Sequence, residues 1–262
     1  VGGGSLRKSG KYGWIVRSDR CCDVVAAVLG CIIIVIVMVP RIFVAAASCS
    51  DADLVSRGEV LLWAKGLTTK AYTMVFENKD VWRGFRNTMF YTALGTIISV
   101  TLTVLAAYPL SRKNLRGRNF IMMAVLFTMY FSGGMVPTYL LVKDLGMYNT
   151  IWAILIPNAL STYNLIVAKT FFENSIPDEL WEAAQLDGCG YISFFFKICL
   201  PLSKAIIAVI ALWAAVGQWN GYFNALIYLR SEALQPLQIV LRNILISNQT
   251  ISSMMTGSAA VE

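Results

Sequence analysis

The chain has 262 residues, 57% of them hydrophobic and 14% charged, with a mean hydropathy of +0.62 and a formal net charge of +7. An ordinary soluble domain holds roughly 45–50% apolar and about 25% charged residues, so a soluble core would leave much of this apolar surface uncovered. Histidine does not occur, which removes the commonest general base, the usual ligand of catalytic zinc and the neutral-pH switch together, and enzymatic chemistry is disfavoured.

The start, Gly2 to Gly4, reads as a disordered end. The first twenty residues then carry Arg7, Lys8, Lys11, Arg17 and Arg20 against one acid, Asp19. From Cys22 to about Val44 the chain is nearly unbroken aliphatic, with Val35, Ile36, Val37 and Met38 at its centre. About 20 such residues at 1.5 Å each match the ~30 Å hydrocarbon layer, so this block predicts a spanning helix. A signal peptide is the competing reading, because Ala46-Ala47-Ser48-Cys49 loosely resembles a lipoprotein cleavage site. The length of the block and the apolar blocks that follow favour the span. The connection 45–87 is nearly balanced in charge, and Trp63, Tyr72 and Trp82 are suited to the membrane surface.

Further blocks occupy about 88–110, 119–142, 150–172 and 203–229, which makes five predicted crossings and an all-α polytopic membrane protein. The connection 111–119 holds Arg112, Lys113, Arg116 and Arg118 and no acid. This connection and the basic start both face the cytoplasm if the N-terminus is inside. The bases therefore follow topology and do not form a nucleic-acid surface. In the third block Gly133, Gly134 and Pro137 mark a kink or a close helix contact. In the fourth, Asn158, Tyr163 and Asn164 either line a path or hydrogen-bond between helices. The six cysteines show no C-x-x-C spacing and read mostly as small apolar filler.

Residues 173–202 break the charge pattern, with Glu173, Asp178, Glu179, Glu182 and Asp187 against Lys197 alone. Ser175-Ile176-Pro177-Asp178-Glu179 supplies a capping hydroxyl, a first-turn proline and acids for the positive end of a helix dipole. The helix that starts there places Leu180, Ala183, Ala184 and Asp187 on one protruding side and ends at Gly188 through a left-handed residue. A second segment from Tyr191 to Leu200 carries three phenylalanines and stops before Pro201. The fifth block ends in Gly217-Gln218-Trp219-Asn220-Gly221-Tyr222-Phe223-Asn224. Amides exchange hydrogen bonds with hydroxyls and aromatic faces cover the C–H faces of a pyranose, so Gln218, Trp219, Asn220, Tyr222 and Asn224 are candidates for a sugar path. An aromatic belt with interhelical amide bonds accounts for them equally.

Glu182-Ala183-Ala184, then Asp187-Gly188, then Leu200-Pro201 resembles the coupling loop of ABC importer permeases of the maltose-transporter type. That resemblance implies the type I importer permease fold and assigns docking on an ATPase subunit and transmission of its motion to Glu182, Ala183, Ala184, Asp187 and Gly188. Cys189 stands where the family has a small residue. The stretches Phe131 to Leu140 and Trp219 to Leu229 are similar to a branch of the family that includes oligosaccharide permeases. Relatives carry a sixth crossing beyond the stretch where this chain stops, so a C-terminally incomplete permease domain is expected over 88–262, after a tail at 1–20 and a first span with its outer loop at 21–87. No G-x-x-x-x-G-K-[ST] loop occurs, so the chain itself is expected to do no ATP chemistry. The family implies a second permease, two ATP-binding subunits that hold ATP and magnesium, an external solute-binding protein and the lipid of a bacterial cell membrane. Two rival functions remain, beside a third reading as a non-transporting membrane scaffold. One keeps the machinery with an amino acid, peptide or metal as cargo. The other is a gradient-driven transporter, which calls for ionisable residues at mid-membrane, where the blocks have almost none.

Overall fold

The computed structural model describes residues 9–259, with side chains for 22–52, 54–55, 57–247 and 249. The glycines at the start, with Arg7 and Lys8, lie outside the described residues. Every regular element among the described residues is a helix. The chain divides into two compact units, residues 1–77 and 78–262.

The first unit contains α1 (Ser9–Ser48), α2 (Ala52–Ser56) and α3 (Lys70–Glu77). Cys22–Ser48 of α1 is apolar and 27 residues long, about 40 Å of helix, enough to cross a bilayer with tilt. The segment after α1 folds back on its end. Ser50 Oγ donates to the Ala46 carbonyl at 2.6 Å and accepts from Lys65 N–H at 3.1 Å. Trp63 is 84% exposed on this connection, and Tyr72 meets the Ser48 hydroxyl at 2.8 Å.

The second unit is built on α4 (Lys79–Ser111), a 33-residue spanning helix capped by Asn78, whose Oδ1 accepts from the Asp80 and Val81 N–H groups. Gly84, Thr88, Tyr91, Gly95, Ser99, Thr103 and Ala107 recur every three or four residues and are buried, giving a mostly small-residue face. The helices packed most extensively on α4 are α8 (Thr162–Ser175), α12 (Lys204–Asn220) and α14 (Leu237–Ala259). Closeness explains the glycines. A Cβ at Gly84 would stand 3.0 Å from Leu237 Cα, and one at Gly95 would stand 2.9 Å from the Gln218 amide. The approach to α14 is fixed by Tyr91 OH donating to the Leu234 carbonyl and by Leu237 N–H donating to Thr88 Oγ1.

The remaining blocks differ from simple crossings. The third is two helices, α5 (Arg118–Tyr130) and α6 (Met135–Asp144), set at 114° across a break at Gly134, whose φ is 87°. The fourth, expected as one helix over 150–172, is α7 (Trp152–Leu155), an irregular stretch and α8. Pro157 cannot donate to a helical ladder, and the Ser161 hydroxyl starts α8 afresh by accepting Asn164 N–H. The fifth ends as a helix at Asn220 and resumes as α13 (Phe223–Tyr228). Among the described residues two helices, Cys22–Ser48 and Lys79–Ser111, are long and apolar enough to cross unbroken, and up to four spans result if each bent pair is one. Asn149, left-handed at φ 57°, accepts the Arg230 and Ser231 N–H groups on its Oδ1 and ties the α6–α7 turn to the chain after α13.

The predicted hairpin is present as α9 (Asp178–Leu186), α10 (Tyr191–Phe194), a widened π turn (Phe195–Cys199) and α11 (Leu200–Leu202), followed at 77° by α12. Two details are corrected. Ser175 closes α8 and does not cap α9, whose cap position is Pro177 with no side-chain hydrogen bond. The second arm also continues through Pro201 to Leu202. The π turn hands Leu200 N–H to the Phe195 carbonyl, and that wider spacing accommodates the proline's bulk and missing donor.

Candidate functional site

Two sets of sequence-marked residues fall in the second unit, at different places. The first is the hairpin. Asp178 and Glu179 sit in the first turn of α9, and Gly188, at φ 74°, ends it. Cys189 N–H donates to the Ala184 carbonyl at 2.9 Å and Gly188 N–H to that of Gln185 at 3.0 Å, the paired bonds of a Schellman end. Glu182, Ala183 and Asp187 are exposed, and Leu186 is 91% exposed at the tip. Ala184 faces the other way. It is buried with Trp181, so the expectation that both alanines protrude is corrected: Ala183 alone does. Trp181 is the anchor that sequence reasoning missed. Its ring stacks on Tyr191 at 4.4 Å and meets Phe194 edge-on at 5.0 Å, and the 181/184 spacing toward a phenylalanine-rich segment was the available signal. Ionic contacts steady the base: Asp178 with Lys113 at 3.2 Å, and Glu173 with both Arg118 and Lys169.

The second set forms a cleft of about 310 Å³ lined by the side chains of Ser99, Asn158, Ser161, Asn164, Trp213, Gln218 and Asn224 among others. Four of the eight candidate path residues therefore converge: Asn158, Asn164, Gln218 and Asn224. The other four stand elsewhere. Trp219 packs edge-on against Phe85 at 6.2 Å, and Asn220 spends its amide on the Val216 carbonyl of its own helix at 3.0 Å. Tyr222 lies in the break before α13, and Tyr163 backs the wall with its ring 5.7 Å from that of Trp213. Ser99, Ser161 and Trp213 were not marked from the sequence. Trp213 sits one turn before Gly217, which was the local hint, whereas Ser99 is brought in by α4 from a distant part of the chain.

Chemically the lining combines neutral amides and hydroxyls with one indole and the apolar Ile154 and Ala214, a surface able to exchange hydrogen bonds with a polyhydroxylated solute and to stack its C–H face. Among the described residues no group of three or more ligating side chains gathers that could hold a metal ion.

Residues 99–261 match the family described as the binding-protein-dependent transport system inner membrane component. The chain is similar to Protein LplC of Bacillus subtilis (strain 168), 42% identical over 80% of this chain and 71% of that one. It is equally similar to the polygalacturonan/rhamnogalacturonan transport system permease protein YtcP of the same organism, 42% identical over 85% of this chain and 76% of that one. Among solved structures it resembles a chain of a bacterial ABC transporter involved in the import of the acidic polysaccharide alginate, with a TM-score of 0.83, 35% identity, and coverage of 92% of this chain and 87% of that one.

Proposed function

The chain belongs to the binding-protein-dependent transport system inner membrane component family, and from that premise we propose that it is the permease subunit of an ATP-driven importer for a sugar or oligosaccharide. It is a membrane protein of a transport family and works with other transporter components. In the arrangement proposed, these are a second permease, two subunits that bind and hydrolyse ATP with magnesium, and an external binding protein. The N-terminus lies in the cytoplasm. Residues 1–20 are a tail, 21–87 a first span with its outer loop, and 88–262 the permease domain that carries the coupling loop 173–202.

The observation that carries the cargo assignment is the convergence of Asn158, Asn164, Gln218 and Asn224 with Trp213 in one cleft. Those side chains come from two stretches, 158–164 and 213–224, and Ser99 joins them from a third, so an aromatic belt would not gather them around a common space. In the proposed cycle, closure of the ATPase pair moves α9 through Glu182, Ala183, Asp187 and Gly188, and the helices around the cleft change which side of the membrane it faces. Ala184 serves from behind, by seating α9.

Uptake of radiolabelled oligosaccharide by cells with and without this subunit tests the reading. Loss of uptake in cells without the subunit, restored by supplying it, is the expected result. Unchanged uptake would count against a sugar cargo, and failure of any ATP-hydrolysing subunit to co-purify would count against the importer.

A further inference from the structure

Arg112, the residue that caps α4, was read from the sequence only as one of four cytoplasmic bases. Its side chain is 15% exposed, whereas its neighbour Lys113 is 79% exposed. The guanidinium meets four parts of the fold at once. Nη1 donates to the Ile176 carbonyl at 3.4 Å and lies 3.6 Å from Asp178 Oδ1, where the chain passes from α8 into the first residue of α9. Nη2 reaches Cys199 Sγ at 3.9 Å, in the π turn. The charged carbon stands 5.1 Å from the centre of the Tyr108 ring on α4 and 5.7 Å from that of Phe194 on α10. Tyr108 in turn packs on Phe172 of α8 and on Phe195.

We propose that Arg112 is the joint that carries movement of the hairpin into α4, and so a positioning residue for coupling that lies outside the docking motif. The inference rests on the reading of α9 as the element moved by an ATPase. Contact chemistry supports the role, because a planar fork binds a carbonyl and a carboxylate with its edge while its faces lie on rings, so one side chain fixes both position and angle. Geometry then gives the joint a lever. Ser99, in the wall of the cleft, lies about 20 Å along α4 from Arg112, and Gly95, one turn further, holds the Gln218 amide. A displacement at the hairpin reaches the cleft along one continuous helix, whose hydrogen-bond ladder is interrupted between the two places at Pro109 alone. The Nε–H of Arg112 is buried with no acceptor among the described residues.

The test uses the complete transporter in proteoliposomes, with sugar uptake and ATP hydrolysis measured together. Arg112→Gln is expected to retain its ATPase subunits and hydrolyse ATP while sugar delivered per ATP falls about fivefold. Arg112→Lys keeps the charge and the stem but cannot bond the carbonyl and cover both rings, so a smaller loss of about twofold is expected. It decides the matter if the Gln variant is not recovered. An unchanged uptake-to-hydrolysis ratio in Arg112→Gln, or in Arg112→Lys where that is the variant recovered, overturns the proposal, because a purely structural arginine would lower yield and leave the ratio alone. If hydrolysis in the wild type is not stimulated by the binding protein and sugar at all, the importer reading itself fails, which is a different result from a wild type that couples and an Arg112→Gln variant that couples as well.

Discussion

Gly95 sets how deep the amide of Gln218 can sit between α4 and α12, because a methyl group there would lie 2.9 Å from the Gln218 amide and 3.0 Å from its Cγ. A glutamine side chain is flexible enough to move aside, so Gly95→Ala costs little stability and instead turns the amide out of the cleft. The expected result is an uptake KM raised about fivefold, the value of about one hydrogen bond, with the thermal midpoint of the purified transporter nearly unchanged. A large fall in that midpoint with unchanged KM would show that Gly95 serves packing alone. Sequence reasoning found Gln218 and missed Ser99 for the same physical cause. Gln218 stood out as an amide in an apolar run, whereas a serine on a helix of small residues is unremarkable until the helices that face it are known.

At the scale of elements, the hairpin depends on how α9 ends. Gly188 holds φ 74°, and an L side chain in that region costs roughly 1–2 kcal/mol. Gly188→Ala is therefore expected to loosen the turn into α10 and weaken retention of the ATPase subunits, read as their yield on co-purification. Full retention at wild-type yield would mean that the left-handed turn is not needed for docking. Most of this element was legible, because first-turn acids, a terminal glycine and short spacing are local signals. The facing of its two alanines was not. Which side of a short helix turns inward is settled by its neighbours, here the stack of Trp181 on Tyr191, and the pairing of Trp181 with Ala184 at three-residue spacing was the one local sign of it. The break at 156–161 was overlooked for a related reason: one proline and a few polar residues inside an apolar block barely alter its composition, yet they end one helix and start another.

For the whole molecule, the proposed topology puts the hairpin in the cytoplasm. With the native cysteines replaced, a single cysteine at Glu182 should react with a membrane-impermeant maleimide only in inverted vesicles. Labelling in intact cells would place α9 outside and undo the coupling scheme. The all-helical architecture followed from composition and block length, since only helices and closed barrels satisfy their backbone in lipid. The bend in the third block was marked by Gly133, Gly134 and Pro137, but its angle was not, because hydropathy records how apolar a stretch is and not the direction in which it runs. Leu186, almost wholly uncovered at the tip of α9, has a bearing on the cell's economy. In the proposed assembly an ATPase subunit covers it; shielding a leucine from water is worth roughly 1.5–3 kcal/mol, and an orphan copy made in excess of its proposed partners forgoes that gain. Such a copy displays a greasy knob to chaperones and quality-control proteases, so matched synthesis of the several polypeptides protects this one from being cleared.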